Sequence, residues 1–212
     1  MAPMANIETS LRVVTVVVPV AVYFLILGLL NTRRHPQMLT ARADFALLIA
    51  ALSPLVFLPA AGVLGASPVA AVLVALALAV GIILLAPQGR SWVIYNLPIV
   101  SAWGAIAAAL GRLGLSFRRV GDSFLIDGRD AAVTVEAFPL LRNVTVHLRG
   151  GGKHLARDLQ RALAWQLASV ESEATPMAVS MLLLAMAMLA APLALMARDV
   201  PQLVRLLTGL LY

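Results

Sequence analysis

A histidine and a glutamate in the middle of the chain are the residues best suited to acid–base chemistry. His147 and Glu136 lie in two segments whose residues alternate between apolar and polar, as in the strands of a half-buried sheet. The alternation puts both side chains on the polar side, and a histidine–carboxylate pair can transfer protons. A sheet face in contact with water carries the same residue types, so we assign no catalytic residue. The segments instead predict a candidate binding face, formed by Thr134, Glu136, Thr145, His147 and Arg149.

A run of glycines follows the second of these segments. Gly150, Gly151 and Gly152 precede Lys153, between a predicted strand and a predicted helix, which is where a phosphate-binding loop would lie. The glycine spacing departs from that of such a loop, and His154 stands where a serine or threonine is required. The run therefore predicts no nucleotide hydrolysis. Lys153 and the free backbone N–H groups of a helix start could still contact an anion or a lipid headgroup.

The residue types do not favour a metal site or a catalytic thiol. The chain has no cysteine and three histidines. His35, His147 and His154 fall in a loop, a strand and a helix, without the spacing of metal ligands. We therefore expect no metal site and no cofactor.

Four short β segments and two helices are expected to position these side chains. Gly121 and Asp122 predict a tight hairpin between the first two segments. The second helix carries a leucine stripe that can cover the apolar side of the sheet. The expected arrangement is α-ββββ-α, a small α+β domain with an antiparallel meander sheet. Its elements are residues 99–111, 115–120, 123–127, 131–138, 142–149 and 154–170.

The composition is typical of a membrane protein. Hydrophobic residues make up 61% of the 212 residues and charged residues 12%, against about 25% charged residues in a typical soluble domain. The mean hydropathy is +0.94. The net charge of +6 is explained by arginines held on the cytoplasmic side of a membrane. For this reason we expect no nucleic-acid partner.

Four apolar segments are long enough to cross a bilayer, which takes about 20 helical residues. They are residues 13–30, 45–63, 69–86 and 177–196. Residues 201–211 repeat leucine at helical spacing but are too short to cross, which favours an amphipathic helix in the interface. The expected fold class is an all-α membrane anchor of four transmembrane helices with the α+β domain inserted. Its parts are residues 1–87 with three spans, the domain at 88–175, and residues 176–212 with the fourth span and the interfacial helix.

The distribution of arginine predicts the topology. Arg33, Arg34 and Arg42 lie between the first two apolar segments, and no charge lies between the second and third. Because positive residues stay on the cytoplasmic side, we expect the domain in the cytoplasm and both termini outside. The three arginines are candidate contacts for anionic lipid headgroups. Heavy use of Ala, Leu, Val and Arg fits a GC-rich bacterial genome, which indicates a bacterial cytoplasmic (inner) membrane.

The function expected from these features is that of an accessory, assembly or scaffold subunit of a membrane complex. Its partners would be the lipid bilayer and other membrane-protein subunits, or further copies of this chain. One alternative is a subunit of an oligomeric channel or transporter, although the apolar segments lack the central charges that transporters use. A second alternative is a membrane-bound enzyme that uses His147 and Glu136.

Overall fold

The computed structural model describes residues 2–64, 68–87, 89–139 and 142–211. Across these residues it contains six helices and six strands. They are α1 (Ala2–Thr32), β1 (Gln37–Thr40), α2 (Ala41–Leu64), α3 (Pro68–Leu85), β2 (Arg90–Tyr95), α4 (Ile99–Arg112), β3 (Phe117–Val120), β4 (Ser123–Ile126), β5 (Ala131–Phe138), β6 (Asn143–Gly150), α5 (Gly152–Ala168) and α6 (Pro176–Leu211). The chain divides into two compact units. One, which we call the sheet unit, consists of Leu27–Ala46 and Leu85–Ser180, and the other contains the remaining helical residues.

One antiparallel sheet with the strand order β1-β2-β6-β5-β4-β3 forms the centre of the sheet unit. Strands β3 to β6 pair consecutively, β2 pairs with β6, and β1 pairs with β2. The prediction of a four-stranded sheet is therefore wrong, because the described residues form six strands. The two additional strands lie outside the predicted elements: β1 falls between the first two apolar segments, and β2 precedes the predicted helix at residues 99–111.

The residue types of β1 and β2 explain why they were missed. Trp92 and Tyr95 follow an apolar helix, where aromatic residues usually lie at the membrane interface. In the structure they are 4% and 1% exposed. Trp92 belongs to the hydrophobic core, and the Tyr95 hydroxyl donates a hydrogen bond to Asp44 in the first turn of α2. β1 has only four residues, too few to show a period, and its last residue, Thr40, accepts a hydrogen bond from the backbone N–H of Ala43 at the start of α2.

Helices α4 and α5 pack on one face of the sheet and form the core with it. Four leucines at intervals of four along α5 are buried, namely Leu155, Leu159, Leu163 and Leu167. They meet Ile106 and Leu110 of α4 and the inward valines of β5 and β6 in one hydrophobic cluster. Fully burying a leucine stabilises a fold by about 1.5–3 kcal/mol, so this stripe is a main source of the stability of the sheet unit.

The prediction of four transmembrane helices is also wrong. Among the described residues, two helical segments are long and apolar enough to cross a membrane, namely Arg12–Thr32 in α1 and Pro176–Ala194 in α6. α3 is an apolar helix of 18 residues, Pro68–Leu85, and its described residues give only a shorter candidate segment, Ala75–Leu85. The first turn of α2 carries Asp44 and belongs to the sheet unit. α6 is one continuous helix that includes residues 201–211.

Candidate binding face

The strand register brings a row of polar residues together on the sheet face turned away from α4 and α5, which we call the outer face. Ser91 of β2 pairs with His147 of β6, His147 pairs with Thr134 of β5, and Thr134 pairs with Ser123 of β4. Directly paired residues of antiparallel strands point to the same side. The hydroxyl oxygens of Ser123 and Thr134 are 3.0 Å apart and share a hydrogen bond.

The histidine and the glutamate meet on this face. Glu136 pairs with Thr145 and is therefore the diagonal neighbour of His147. His147 Nε2 lies 3.7 Å from Glu136 Oε2, which allows an ion pair when the imidazole is protonated but exceeds hydrogen-bond length. The two side chains are 35% and 70% exposed, and ion pairs between exposed groups add little stability. The pair can exchange protons with a bound molecule, and its role in holding the fold is small.

A cavity of about 210 Å³ collects four of the five predicted face residues. Its lining includes Thr134, Glu136, His147 and Arg149, together with Gly89, Arg90 and Leu148. The fifth predicted residue, Thr145, lies on the same face beside Glu136 and outside this lining.

Two polar residues of the row were missed in the sequence. Ser91 lies in β2, whose strand character was not recognised. Ser123 was placed in a strand, and its position opposite Thr134 follows once the register of the hairpin around Gly121 is known. If the register of this hairpin had been extended to the next strand, it would have placed Ser123 in the polar row.

The basic residues predicted to contact headgroups occupy separate places. Arg33 and Arg34 follow the last turn of α1, Arg42 lies in the first turn of α2, and all three are exposed. Arg33 donates a hydrogen bond to the side chain of Gln37. Lys153 is exposed in the first turn of α5, and within the described residues no contact joins it to the three arginines.

The end of α1 is joined to the sheet by a set of hydrogen bonds around the buried Asn31 and Asn96, which we call the junction. The side-chain oxygen of Asn31 accepts from the backbone N–H of Asn96, and the Asn96 side chain donates to the carbonyl of Arg33. The backbone N–H of Ser172, in the segment that leads into α6, donates to the carbonyl of Arg34. Asn31 and Asn96 are 1% and 0% exposed. No sequence pattern predicted these contacts.

Asn96 adopts a left-handed backbone conformation with φ of 57°, which asparagine tolerates better than most residues. The junction therefore depends on this residue for its backbone as well as for its side chain.

No group of three or more His, Cys, Asp or Glu side chains among the described residues is arranged to hold a metal ion. Comparison with protein-family models, with curated proteins and with solved structures found no match to this chain.

Proposed function

We propose that this chain is an integral protein of a bacterial cytoplasmic membrane and serves as an accessory or scaffold subunit that holds a partner protein against the outer face of its sheet. The junction is the observation that carries this proposal. Within the sheet unit it links the residues that follow α1 and the segment that leads into α6 to the end of β2, and α1 and α6 contain the two segments that are apolar and long enough to cross a membrane.

The junction supports the proposal because it holds the residues that follow α1 in place within the sheet unit. The carbonyl groups at the end of a helix lack partners inside the helix. Just beyond α1, the carbonyl of Arg33 accepts a hydrogen bond from the Asn96 side chain, and the carbonyl of Arg34 accepts one from the backbone N–H of Ser172. His35 Nδ1 also lies 3.1 Å from the carbonyl oxygen of Val170.

The charge pattern supports a cytoplasmic orientation. Arg33, Arg34 and Arg42 all belong to the sheet unit, and positive residues flanking membrane helices stay on the cytoplasmic side. Because α1 ends and α6 begins in the sheet unit, the opposite ends of both helices would lie outside.

The outer face has the features of a protein-binding surface. α4 and α5 cover only the other side of the sheet, and the register places Phe138 and Val120 on the outer face, opposite Asn143 and Ser123. These apolar side chains are 54% and 55% exposed. Exposed aromatic anchors beside polar groups are typical of the positions that dominate interface energies.

Affinity purification of the full-length chain in mild detergent tests the proposal. We expect a stoichiometric partner, or a second copy, that is lost with Phe138→Ala or His147→Ala. Val100→Ala is the matched control, because Val100 is also exposed but lies on α4. Isolation of wild-type protein as a lone monomer would contradict the proposal, as would equal loss of the partner in the control.

A membrane-bound enzyme is the second candidate, favoured by the 3.7 Å approach of His147 to Glu136 within one cavity. Cells carrying His147→Ala or Glu136→Gln should then accumulate the same metabolite, whereas cells carrying Arg157→Ala on α5 should not. Unchanged metabolite profiles in both variants would exclude this candidate.

A further inference from the structure

A second depression crosses the outer face beside the polar row, and we call it the arginine trough. It has a volume of about 550 Å³ and is lined in part by Arg118, Arg129 and Arg149. Ala132 and Leu125 form its floor, because the register places them between Arg149 of β6 and Arg118 of β3 in a single row. The turn that carries Arg129 also lines it.

The side chains of the three arginines of the trough make no polar contacts with the described part of the fold. Within the described residues, none of their guanidinium groups makes a hydrogen bond, an ion pair or a ring contact. Other arginines of the sheet unit do make such contacts: Arg90 donates to the carbonyl of Gly150, and Arg112 stacks on Trp165. The trough therefore presents donors that are free to bind an external group.

Protection of the sheet edge does not account for all three charges. β3 is an edge strand, and charged residues such as Arg118 keep edge strands from pairing with other chains. Arg149 lies on β6, an interior strand, and Arg129 lies in the turn between β4 and β5. Two of the three arginines thus need a different explanation.

The dimensions and charge of the trough fit an anionic ligand. Arg149 and Arg118 are three strand spacings apart, about 14 Å between their backbones. Their side chains, extending toward each other, can both reach a ligand that lies between them. Asp127 and Asp130 also line the trough, so its three arginines and two aspartates leave a net charge of 3 − 2 = +1. The volume lies within the roughly 300–1,000 Å³ of small-molecule sites.

We propose that the arginine trough binds a phosphate group, because the planar guanidinium offers paired N–H donors that match two phosphate oxygens. The phosphate belongs either to a soluble phosphate ester or to a phospholipid headgroup. This site differs from the earlier headgroup candidates, none of which lines the trough. The inference does not depend on the partner-binding function.

Calorimetric titration of the full-length chain in an uncharged detergent tests the site. The probes are inorganic phosphate and a soluble short-chain phosphatidylglycerol. The test variant is the double substitution Arg118→Gln with Arg149→Gln, whose side chains are exposed, so the fold should be kept, as circular dichroism can verify. The control is Arg157→Gln, an exposed arginine on α5 outside the trough.

The proposal expects the double variant to bind at least about tenfold more weakly than wild type, since two charge-assisted contacts are lost, with the control unchanged. Binding of inorganic phosphate identifies a soluble phosphate as the ligand chemistry, and binding of phosphatidylglycerol alone identifies the headgroup. Binding of neither probe overturns the proposal, and so does equal weakening in the control. Neither result bears on co-purification of a partner.

Discussion

The backbone N–H of Asn96 donates a hydrogen bond to the side-chain oxygen of Asn31 across 3.1 Å, although 65 residues separate them. Asn31 also donates from its side-chain nitrogen to the carbonyl of Leu27, one turn earlier in α1. This buried amide thus satisfies one group in the helix and one at the end of β2. A single side chain therefore contributes to both the helix end and the attachment of the sheet.

Asn31→Ala should destabilise the sheet unit by about 1–3 kcal/mol, because it leaves the buried N–H of Asn96 without a partner. The measurement is guanidinium unfolding of the full chain in detergent, followed by tryptophan fluorescence. Trp92, Trp103 and Trp165, the three tryptophans of the chain, all lie in the sheet unit, so the signal reports on it.

Thr32→Ala is the matched control for the junction. Thr32 is the next residue and makes an exposed hydrogen bond to the carbonyl of Leu29, so its loss should change the free energy of unfolding by less than about 0.5 kcal/mol. Equal effects of the two substitutions would show that the junction bond adds no stability.

Gly150→Ala should destabilise the fold far more than Gly152→Ala. Both residues have positive φ, 74° and 72°, so each alanine is strained by about 1–2 kcal/mol. A Cβ at Gly150 would also collide with the backbone carbonyl of Asp130, whereas a Cβ at Gly152 meets no described atom within 4 Å. We expect a loss of at least about 3 kcal/mol for Gly150→Ala.

The same unfolding measurement distinguishes these glycines. Similar losses at the two positions would mean that the end of β6 shifts easily and that the close approach to Asp130 does not constrain it. Gly121→Ala provides a second reference, since Gly121 has φ of 58° with no described atom within 4 Å of an added Cβ.

Much of the sheet could be predicted because periodicity reports which face of an element is buried. Val144, Val146 and Leu148 alternate with polar residues, and all three are buried. Strand β2 could not be found in this way, because Trp92, Val93 and Ile94 are adjacent apolar residues and show no alternation. Its aromatic residues have the same pattern as residues at a membrane interface.

The candidate site was also predicted only in part, because alternation shows which face a side chain lies on and not how far it is from its neighbours. Alternation put Glu136 and His147 on one face, but the distance between them depends on register. The arginine trough needed the register of four strands, which joins Arg149 to Arg118, residues with no local relation in sequence. The contact between Asn31 and Asn96 joins segments far apart in the chain, and no local pattern reports it.

Leu159→Ala should cost about 2–5 kcal/mol of unfolding free energy, because Leu159 is 0% exposed in the core and truncation leaves a cavity. Gln160→Ala is the control one residue further along α5, on its exposed side. We expect the control to change stability by less than about 0.5 kcal/mol. A small effect of Leu159→Ala would contradict the packing of α5 on the sheet.

The proposed orientation predicts which parts of the chain a membrane-impermeant maleimide can reach. The chain contains no cysteine, so a single introduced cysteine is the only thiol. Arg157→Cys places it on the exposed side of α5 in the sheet unit. Thr208→Cys places it in α6 beyond the apolar segment Pro176–Ala194. In spheroplasts we expect labelling at position 208 and not at position 157, because a helix that crosses the membrane separates the two.

Lysis provides the control for this labelling, since both cysteines should react once the membrane is broken. Labelling at position 157 but not 208 in intact spheroplasts would reverse the orientation and conflict with the positions of Arg33 and Arg34 near the end of α1. Labelling of both positions in intact spheroplasts would place them on the same side, so α6 would not cross the membrane between them and the proposed anchor would be wrong.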